Sequence, residues 1–389
     1  MRRALTLMAV VVVGTVACRT WRPITTNDEY QRAEAACAAD DQLACGYVAE
    51  SLREAHRYGR AFTLALASCD AGVGVGCACL GLFYTDGLGE VPQDVSRGIE
   101  LLDFACTKGV SWGCADLGTT LIERDAPTAE ELARAAAALE RGCDGGSLMG
   151  CTNLGHMLTV LWEGHLDPKR ARGLLLSACD AGSVPSCRRA GLSLLDAEGG
   201  PVDPDAGYVL LEGACGRGDA RACRTLGERD ELEWATLPMA TRYYRLACRA
   251  DARFGCLGLA NSLMIISDAG LDEWEGRDAA EKACAHDEGA GCGLFADFLL
   301  RGHLAPDPPR ARMLAETSCD AGIGHGCLVR SRIDDGGLPW LRRAVDLGSQ
   351  APVPTFLSML DGAERRLEAA RLCDAGVDTA CPFPDGGSW

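Results

Sequence analysis

Ten cysteine pairs in the chain share one spacing, C-x7-C, and recur about every 36 residues. They are Cys37/Cys45, Cys69/Cys77, Cys106/Cys114, Cys143/Cys151, Cys179/Cys187, Cys215/Cys223, Cys248/Cys256, Cys284/Cys292, Cys319/Cys327 and Cys373/Cys381. Together they use twenty of the twenty-two cysteines. A fixed period of this size signals stacked supersecondary units with no single central core. Paired cysteines in such number also imply disulfides, and hence an oxidising compartment outside the cytosol.

The segment from Cys151 to Cys187 shows what one unit encodes. Leu154, Met157 and Leu158 recur at helical spacing and predict a first helix that opens near Cys151 and closes in a turn at Glu163-Gly164-His165. Asp167-Pro168 follows, a capping residue and then proline at the first helical position. A second helix runs through Ala171, Leu174, Leu175 and Ala178 to Cys179. The third residue after each first cysteine is always glycine or aspartate, which suits a left-handed helix end. Two further positions are small: the fourth after the second cysteine (Gly81, Gly118, Gly191) and the eighth before the first (Gly98, Ala135, Gly207). Glycine inside a helix costs about 1 kcal/mol relative to alanine. Close approach of neighbouring helices at these positions is the simplest compensation. One unit lacks its cysteines, with Val345 and Val353 in their places and Gly348 at the expected turn site. Both partners are lost together, as expected if they would have bonded to each other.

The formal charge is −17, and the positive charge is almost all arginine, with only Lys108, Lys169 and Lys282 as lysines. Such a chain has no overall attraction to phosphate backbones or anionic lipid surfaces, so nucleic acid is excluded as the expected partner. Residues 1–17 read as a signal peptide, with Arg2 and Arg3 ahead of an apolar run too short to span a bilayer. The run ends in Thr15-Val16-Ala17-Cys18, which resembles a bacterial lipobox, with threonine where leucine is usual. That resemblance implies lipidation of Cys18. Ordinary cleavage near Ala17, leaving Cys18 a spare thiol, is the alternative. Residues 18–27 read as a tether, 28–381 as the repeat body of ten to eleven units, and 382–389 as a C-terminal tail.

Gly76-Cys77-Ala-Cys-Leu80-Gly81-Leu-Phe83-Tyr84-Thr-Asp-Gly87, followed by Gln93-Asp94 and Ala105-Cys106, resembles the Sel-one-like repeat, a relative of the tetratricopeptide repeat. The likeness is closest to the secreted, cysteine-rich bacterial branch and runs from about Glu29 to Cys381. It implies an all-α fold, an α/α solenoid (superhelix) of disulfide-stapled helical hairpins, and protein interaction as the default role.

Geometry also favours pairing within each C-x7-C motif. The two cysteines flank a short turn between antiparallel helices, whereas equivalent cysteines of successive units stand a full helix-pair step apart, beyond disulfide reach. In the chain-entropy model each nine-residue loop contributes about 2–3 kcal/mol. Structural zinc is the competing reading, but zinc sites use closer spacings and further ligands, and the six histidines follow no register with the pairs. No metal and no cofactor are expected. Cys79 is left over, read as an unpaired buried thiol or as the anchor of a disulfide to a partner.

No catalytic residue emerges from the motifs. None of the lysines follows a serine as S-x-x-K, and G-x-S-x-G, H-E-x-x-H and the phosphate-binding loop are missing from the sequence. His156 and His165 are nine apart, and the acidic pairs Asp40-Asp41 and Asp334-Asp335 lie at turns. Trp112, Trp162, Trp234, Trp274 and Trp340 fall in different units, either lining a binding groove or packing within hairpins. The expected function is a non-catalytic scaffold for a protein or peptide partner, lipid-anchored in the bacterial cell envelope or secreted. Some cysteine-rich relatives are described as penicillin-binding or β-lactamase-like, so the resemblance leaves a cell-wall hydrolase without S-x-x-K as the alternative. A third reading is a spacer without a specific ligand.

Overall fold

A computed structural model describes residues 24–161, 166–230, 236–266, 273–286, 289–301, 306–334, 337–349, 356–357, 359–360 and 362–374. The described residues are helical hairpins joined by short turns, with no strand among them. They fall into two units, divided after Asp167.

The first unit holds α1 (Asn27–Ala38), α2 (Gln42–Glu54), α3 (Tyr58–Asp70), α4 (Gly74–Asp86), α5 (Val95–Thr107), α6 (Ser111–Ile122), α7 (Ala129–Asp144) and α8 (Leu148–His156). The second holds α9 (Pro168–Asp180), α10 (Val184–Leu195), α11 (Pro204–Gly216), α12 (Ala220–Asp230), α13 (Leu237–Ala250) and α14 (Ala252–Ile266). It continues with α15 (Glu273–His286), α16 (Ala290–Arg301), α17 (Pro308–Asp320), α18 (Gly324–Ile333), α19 (Leu338–Asp346) and α20 (Gly362–Asp374). Within each unit successive helices stack as an α/α solenoid. Among the described residues α2, α4, α6 and α8 pack on one another in series, as do α12, α14, α16 and α18, whereas among the odd-numbered helices only α5 and α7 touch appreciably. The even helices therefore form an inner layer in each unit.

Local chemistry sets the helix ends. Thr26 and Thr128 build capping boxes with Glu29 and Glu131. Asp203 and Asp307, each ahead of a proline, accept from the backbone N–H three residues on at 3.1 Å. α1 thus opens at Asn27, one residue inside the expected tether. α8 does not run on regularly through Leu158 but widens into a π turn over Met157–Leu161. There the Thr159 hydroxyl donates to the backbone carbonyls of His156 (3.0 Å) and Gly155 (3.3 Å), in competition with the helix ladder.

Among the described residues nine bridges close the elbows between an odd helix and the even helix after it, with Cα separations of 4.4–4.7 Å. In the first unit they are Cys37–Cys45, Cys69–Cys77, Cys106–Cys114 and Cys143–Cys151. In the second they are Cys179–Cys187, Cys215–Cys223, Cys248–Cys256, Cys284–Cys292 and Cys319–Cys327. The partner expected for Cys373, Cys381, lies outside the described residues.

The spacing puts both cysteines of a pair at a turn. In the structure the second cysteine is buried in most pairs, and so are Cys106, Cys179, Cys215 and Cys319 among the first. Cys223, Cys256 and Cys292 are 1%, 0% and 3% exposed, and Cys45, Cys77, Cys114, Cys187 and Cys327 are buried too, whereas Cys151 is half-buried. The reason is their place: each stands in the first turn of an even helix, on the face that meets its neighbours. Cys223 packs with Leu211 and Leu226, and Cys256 with Leu259 and Ala260. These sulfurs are core residues as well as cross-links, so they form no surface site for a ligand or a metal.

At most elbows the third residue after the first cysteine is left-handed, with φ 78° at Gly72 and φ 70° at Asp40. Asp251 departs from that rule. It is extended at φ −155°, and its carboxylate accepts from Arg253 N–H (3.0 Å), so a single residue joins α13 to α14. The cysteine-free elbow after α19 keeps the standard turn: Gly348 has φ 87°, and Gly348 N–H donates to Val345 O at 2.9 Å, as Gly72 N–H does to Cys69 O at 2.8 Å. The turn is therefore a property of the backbone sequence, and the bridge locks what the glycine allows. Val353 and Asp287 lie outside the described residues.

The small positions hold each even helix close to the next odd one. A Cβ on Gly98 would stand 2.4 Å from Thr85 and 2.9 Å from Gly81 O, and one on Gly118 would stand 3.0 Å from Ala135 O. Gly191 and Gly207 face each other in the same way, each with its Cβ position about 3 Å from the other's carbonyl. Around these contacts the interior fills with alanine and leucine, and with Phe83, Phe295 and Phe356 as its largest fully buried side chains.

Candidate functional site

The inner layer leaves two positions of each repeat free to vary. These are the second and fifth residues after the second cysteine. In the first unit the second position is Tyr47, Cys79, Asp116 and Asn153 in turn, and in the next hairpin it is Arg189. Within the first unit Asn153 Nδ2 donates to Thr119 Oγ1, a fifth-position residue of the hairpin before it, at 2.8 Å.

In the first unit the inner helices are acidic. Arg53 on α2 grips Glu50 through two bonds of 2.9 and 2.6 Å, and both side chains are largely covered. Cys79 lies beneath, fully buried and free. Burial pushes its thiol well above the usual range, with Glu50 adding to the shift. As placed, Cys79 packs as a small core residue of the first unit. Asp116 on α6 is pushed up to about 7, first by burial and then by Glu50 and Asp86, with Arg53 opposing. A separate polar crevice of about 520 Å³ between α4, α5 and α6 is lined by Thr85, Asp86, Gln93, Ser96, Glu123 and Arg124.

In the second unit the inner layer opens into a groove of about 520 Å³ between α12, α14, α16 and the start of α18. Its floor is Tyr244, contributed from α13. The ring lies against Gly227 and Gly258, where an added Cβ would come within 2.7 and 2.5 Å of it. These two glycines are what let an outer-layer aromatic reach the inner face. Leu257 and Met264 form part of the apolar wall, and Leu257 is 37% exposed. Asn261 and Glu228, both fifth-position residues, and Leu294, a second-position residue, complete the pattern. His325 sits at one end, 3.5 Å from Asp297, whose fully buried carboxylate also meets Arg332 at 3.2 Å.

At the other end, Phe254 is surrounded by guanidinium groups: Arg221 at 4.7 Å, Arg253 at 5.5 Å and Arg224 at 5.6 Å from the ring centre. Arg188 and Arg189 continue the cluster on α10. Burial draws the Arg189 guanidinium down to about 10, with repulsion from Arg188 and Arg221 adding and Asp219 opposing. Arg188 pairs with Asp219 (3.3 Å), Arg224 with Glu228 (3.2 Å) and Arg253 with Asp251 (2.7 Å). Arg189 and Arg221 have no ion pair among the described residues, and Arg189 Nε has no acceptor there.

The residues singled out from the sequence fall elsewhere. The bridged cysteines of this region, Cys223, Cys256 and Cys292 among them, lie behind the groove in the core and do not line it. Trp112 packs against the core of the first unit, Trp340 packs beside Cys319 and Cys327 with Arg330 over its ring, and Trp274 is exposed on α15. None of the three lines the groove. Trp162, Trp234, His165, Asp335 and Cys18 lie outside the described residues. Asp40 is a turn residue, Asp41 caps α2, and Asp334 is tied to Arg330 and Arg312. Lys108 lies over Phe104 and Lys282 pairs with Asp278, so neither enters the groove.

Among the described residues no three His, Cys, Asp or Glu side chains converge to hold a metal ion, and no helix is long and apolar enough to cross a membrane. No set of described residues carries the cell-wall hydrolase alternative. Fixed spacing within the repeat does not reveal the groove residues, because Arg221, Arg224, Arg253 and Phe254 share no single offset from the second cysteine of their repeats and are brought together only by stacking.

Three stretches of the chain, residues 76–110, 149–183 and 292–323, match the Sel1 repeat family model. The chain therefore carries Sel1 repeats. No curated protein matches it. Among solved structures, a protective antigen of uropathogenic Escherichia coli strains displaying an SLR fold aligns at 16% identity over 82% of this chain and 73% of its own, with a TM-score of 0.63. That likeness establishes the shared fold. A Sel1 repeat protein from Oxalobacter formigenes aligns at 17% identity over 57% of this chain and 88% of its own, with a TM-score of 0.45.

Proposed function

We propose that the chain is a non-catalytic scaffold that binds a protein or peptide partner along its inner helices, in the cell envelope of a bacterium. The observation that carries this reading is the open groove of the second unit, with exposed Leu257 beside a charged rim. Sel1 repeats are a protein-interaction framework, and a solenoid offers a long, shallow surface of this type. The nine bridges fit an oxidising, exported location. Within that location we assign residues 1–17 to a removed leader, Cys18 to the lipid, 18–27 to the tether, 28–381 to the repeat body and 382–389 to the tail.

The test is affinity capture from envelope extract with the mature chain and two variants. A Phe254→Ala, Leu257→Ser double variant alters the groove, and Val209→Ser alters an exposed residue of the outer helix α11. Polypeptides held by the parent chain and by Val209→Ser, but lost by the groove variant, are the expected result. Retention of nothing, or equal retention by all three, would overturn the reading.

A further inference from the structure

The arginine cluster of the second unit runs against the charge of the whole molecule. In a chain of net charge −17, helices α10, α12 and α14 carry six arginines and only two carboxylates. Three of those arginines crowd one aromatic ring, Phe254, at the mouth of an apolar groove. Like charges held this close repel, and covering them removes the water that screens them. Asp219, Glu228 and Asp251 answer three of the five arginines around the cluster, while Arg189 and Arg221 have no ion pair among the described residues. The positive charge in excess is therefore local, fixed on helices and adjacent to exposed apolar surface.

We propose that this groove takes an acidic polypeptide segment, whose carboxylates meet Arg221, Arg224 and Arg253 while a large apolar side chain seats against Leu257 and Met264. The inference rests on the polypeptide-binding reading and adds the chemistry of the partner. Guanidinium groups fit carboxylates through paired hydrogen bonds, and arginine stacked on an aromatic ring is held ready to make them. The apolar wall supplies what a free carboxylate or phosphate could not use, so a mixed acidic and apolar segment suits the site better than a small anion. The chain's overall negative charge repels a long polyphosphate at distances beyond the cluster, which favours a peptide over nucleic acid.

The test uses the mature full chain and a labelled peptide of roughly twelve residues alternating glutamate with leucine and phenylalanine, its lysine counterpart, and a single-stranded oligonucleotide. Fluorescence anisotropy reads the binding. The acidic peptide is expected to bind about tenfold or more tighter than the lysine peptide and tighter than the oligonucleotide, and to weaken as salt rises from about 50 to about 300 mM. Arg224→Glu with Arg253→Glu should weaken it about tenfold or more. Arg221→Gln, at an exposed position, gives a smaller loss with unchanged helical content, and Arg141→Glu on α7 gives none. Equal binding of both peptides, indifference to the arginine variants, or preference for the oligonucleotide would overturn the proposal. If groove-dependent capture of polypeptides from envelope extract persists while the acidic peptide fails, the partner chemistry is wrong and the scaffold reading stands.

Discussion

The inner helices of the two units share one backbone plan and carry opposite chemistry. In α2, α4, α6 and α8 there is one arginine, Arg53, against Glu50, Glu54, Asp86 and Asp116. In α10, α12 and α14 there are six arginines against Glu228 and Asp230. The first surface settles its charge internally: Glu50 is bonded to Arg53, and Asp116 is pushed toward its neutral form. The second leaves charge unanswered beside an open apolar groove. The contrast teaches that stapled elbows and small inter-helix residues fix the stack, while a few variable positions per repeat decide what each stretch of it can hold.

The comparison can be broken at the staples, and there the effect should be largest. Each bridge contributes about 2–3 kcal/mol in the chain-entropy model. Full reduction under native conditions should therefore collapse the thermal transition of both units, read by circular dichroism. Replacing only Cys106 and Cys114 by alanine should cost about 2–3 kcal/mol by denaturant unfolding. The α19 elbow shows that the turn itself forms without a bridge, so helical content should survive the single replacement.

A local loss, smaller than that of full reduction, is expected from Arg172→Met in the second unit. Its buried guanidinium donates to the carbonyls of Glu198 (2.7 Å), Pro201 (2.9 Å), Gly200 and Ser193, and so holds the loop between α10 and α11. Removing it should cost roughly 2–4 kcal/mol. Amide exchange should rise across residues 196–203 and stay unchanged in the first unit.

Asp116 sharpens the acidic side of the comparison through pH. Its folded value, about 7, lies above the ordinary 3.8. Between about pH 4 and pH 7 the folded chain thus holds a proton that the unfolded chain has lost. Stability from this group is fully present below about pH 4, declines as pH rises through that window, and is flat above it. Asp116→Asn should abolish the decline and stabilise the chain at neutral pH by roughly 1–4 kcal/mol. Parallel pH profiles of the parent and Asp116→Asn would contradict this. The smallest expected effect on stability is that of Arg221→Gln, within about 0.5 kcal/mol, because the side chain is exposed and outside any ion pair among the described residues.

Much of the scaffold was legible in the sequence because its determinants are local. Cysteine spacing, Asp-Pro starts and glycine after the first cysteine each act within one turn of chain, and the small residues recur in fixed register. Spacing does not register how deeply the sulfurs are covered, because the burial of Cys223, Cys256 and Cys292 comes from helices packed beside them. The α13–α14 elbow was not legible, since Asp251 uses its side chain as an extended cap where the pattern suggested a left-handed residue. The π turn after α8, where the Thr159 hydroxyl donates to His156 O, is a local widening that apolar periodicity does not register. The groove was invisible for another reason. Phe254, Arg221 and Tyr244 come from three helices and meet only after stacking, and Tyr244 reaches the inner face only because Gly227 and Gly258 leave room. Tryptophans, which draw attention in a sequence, were poor guides, because Trp112 and Trp340 serve hairpin packing.

The most direct test of the contrast is hydrogen–deuterium exchange of the mature chain with and without a saturating acidic, leucine-containing peptide. The account predicts added protection in α12 and α14 around Arg221, Arg224 and Phe254, with none in α2, α4 or α6. Protection centred on α2, α4 or α6, or no change anywhere under conditions where the peptide is bound, would contradict it.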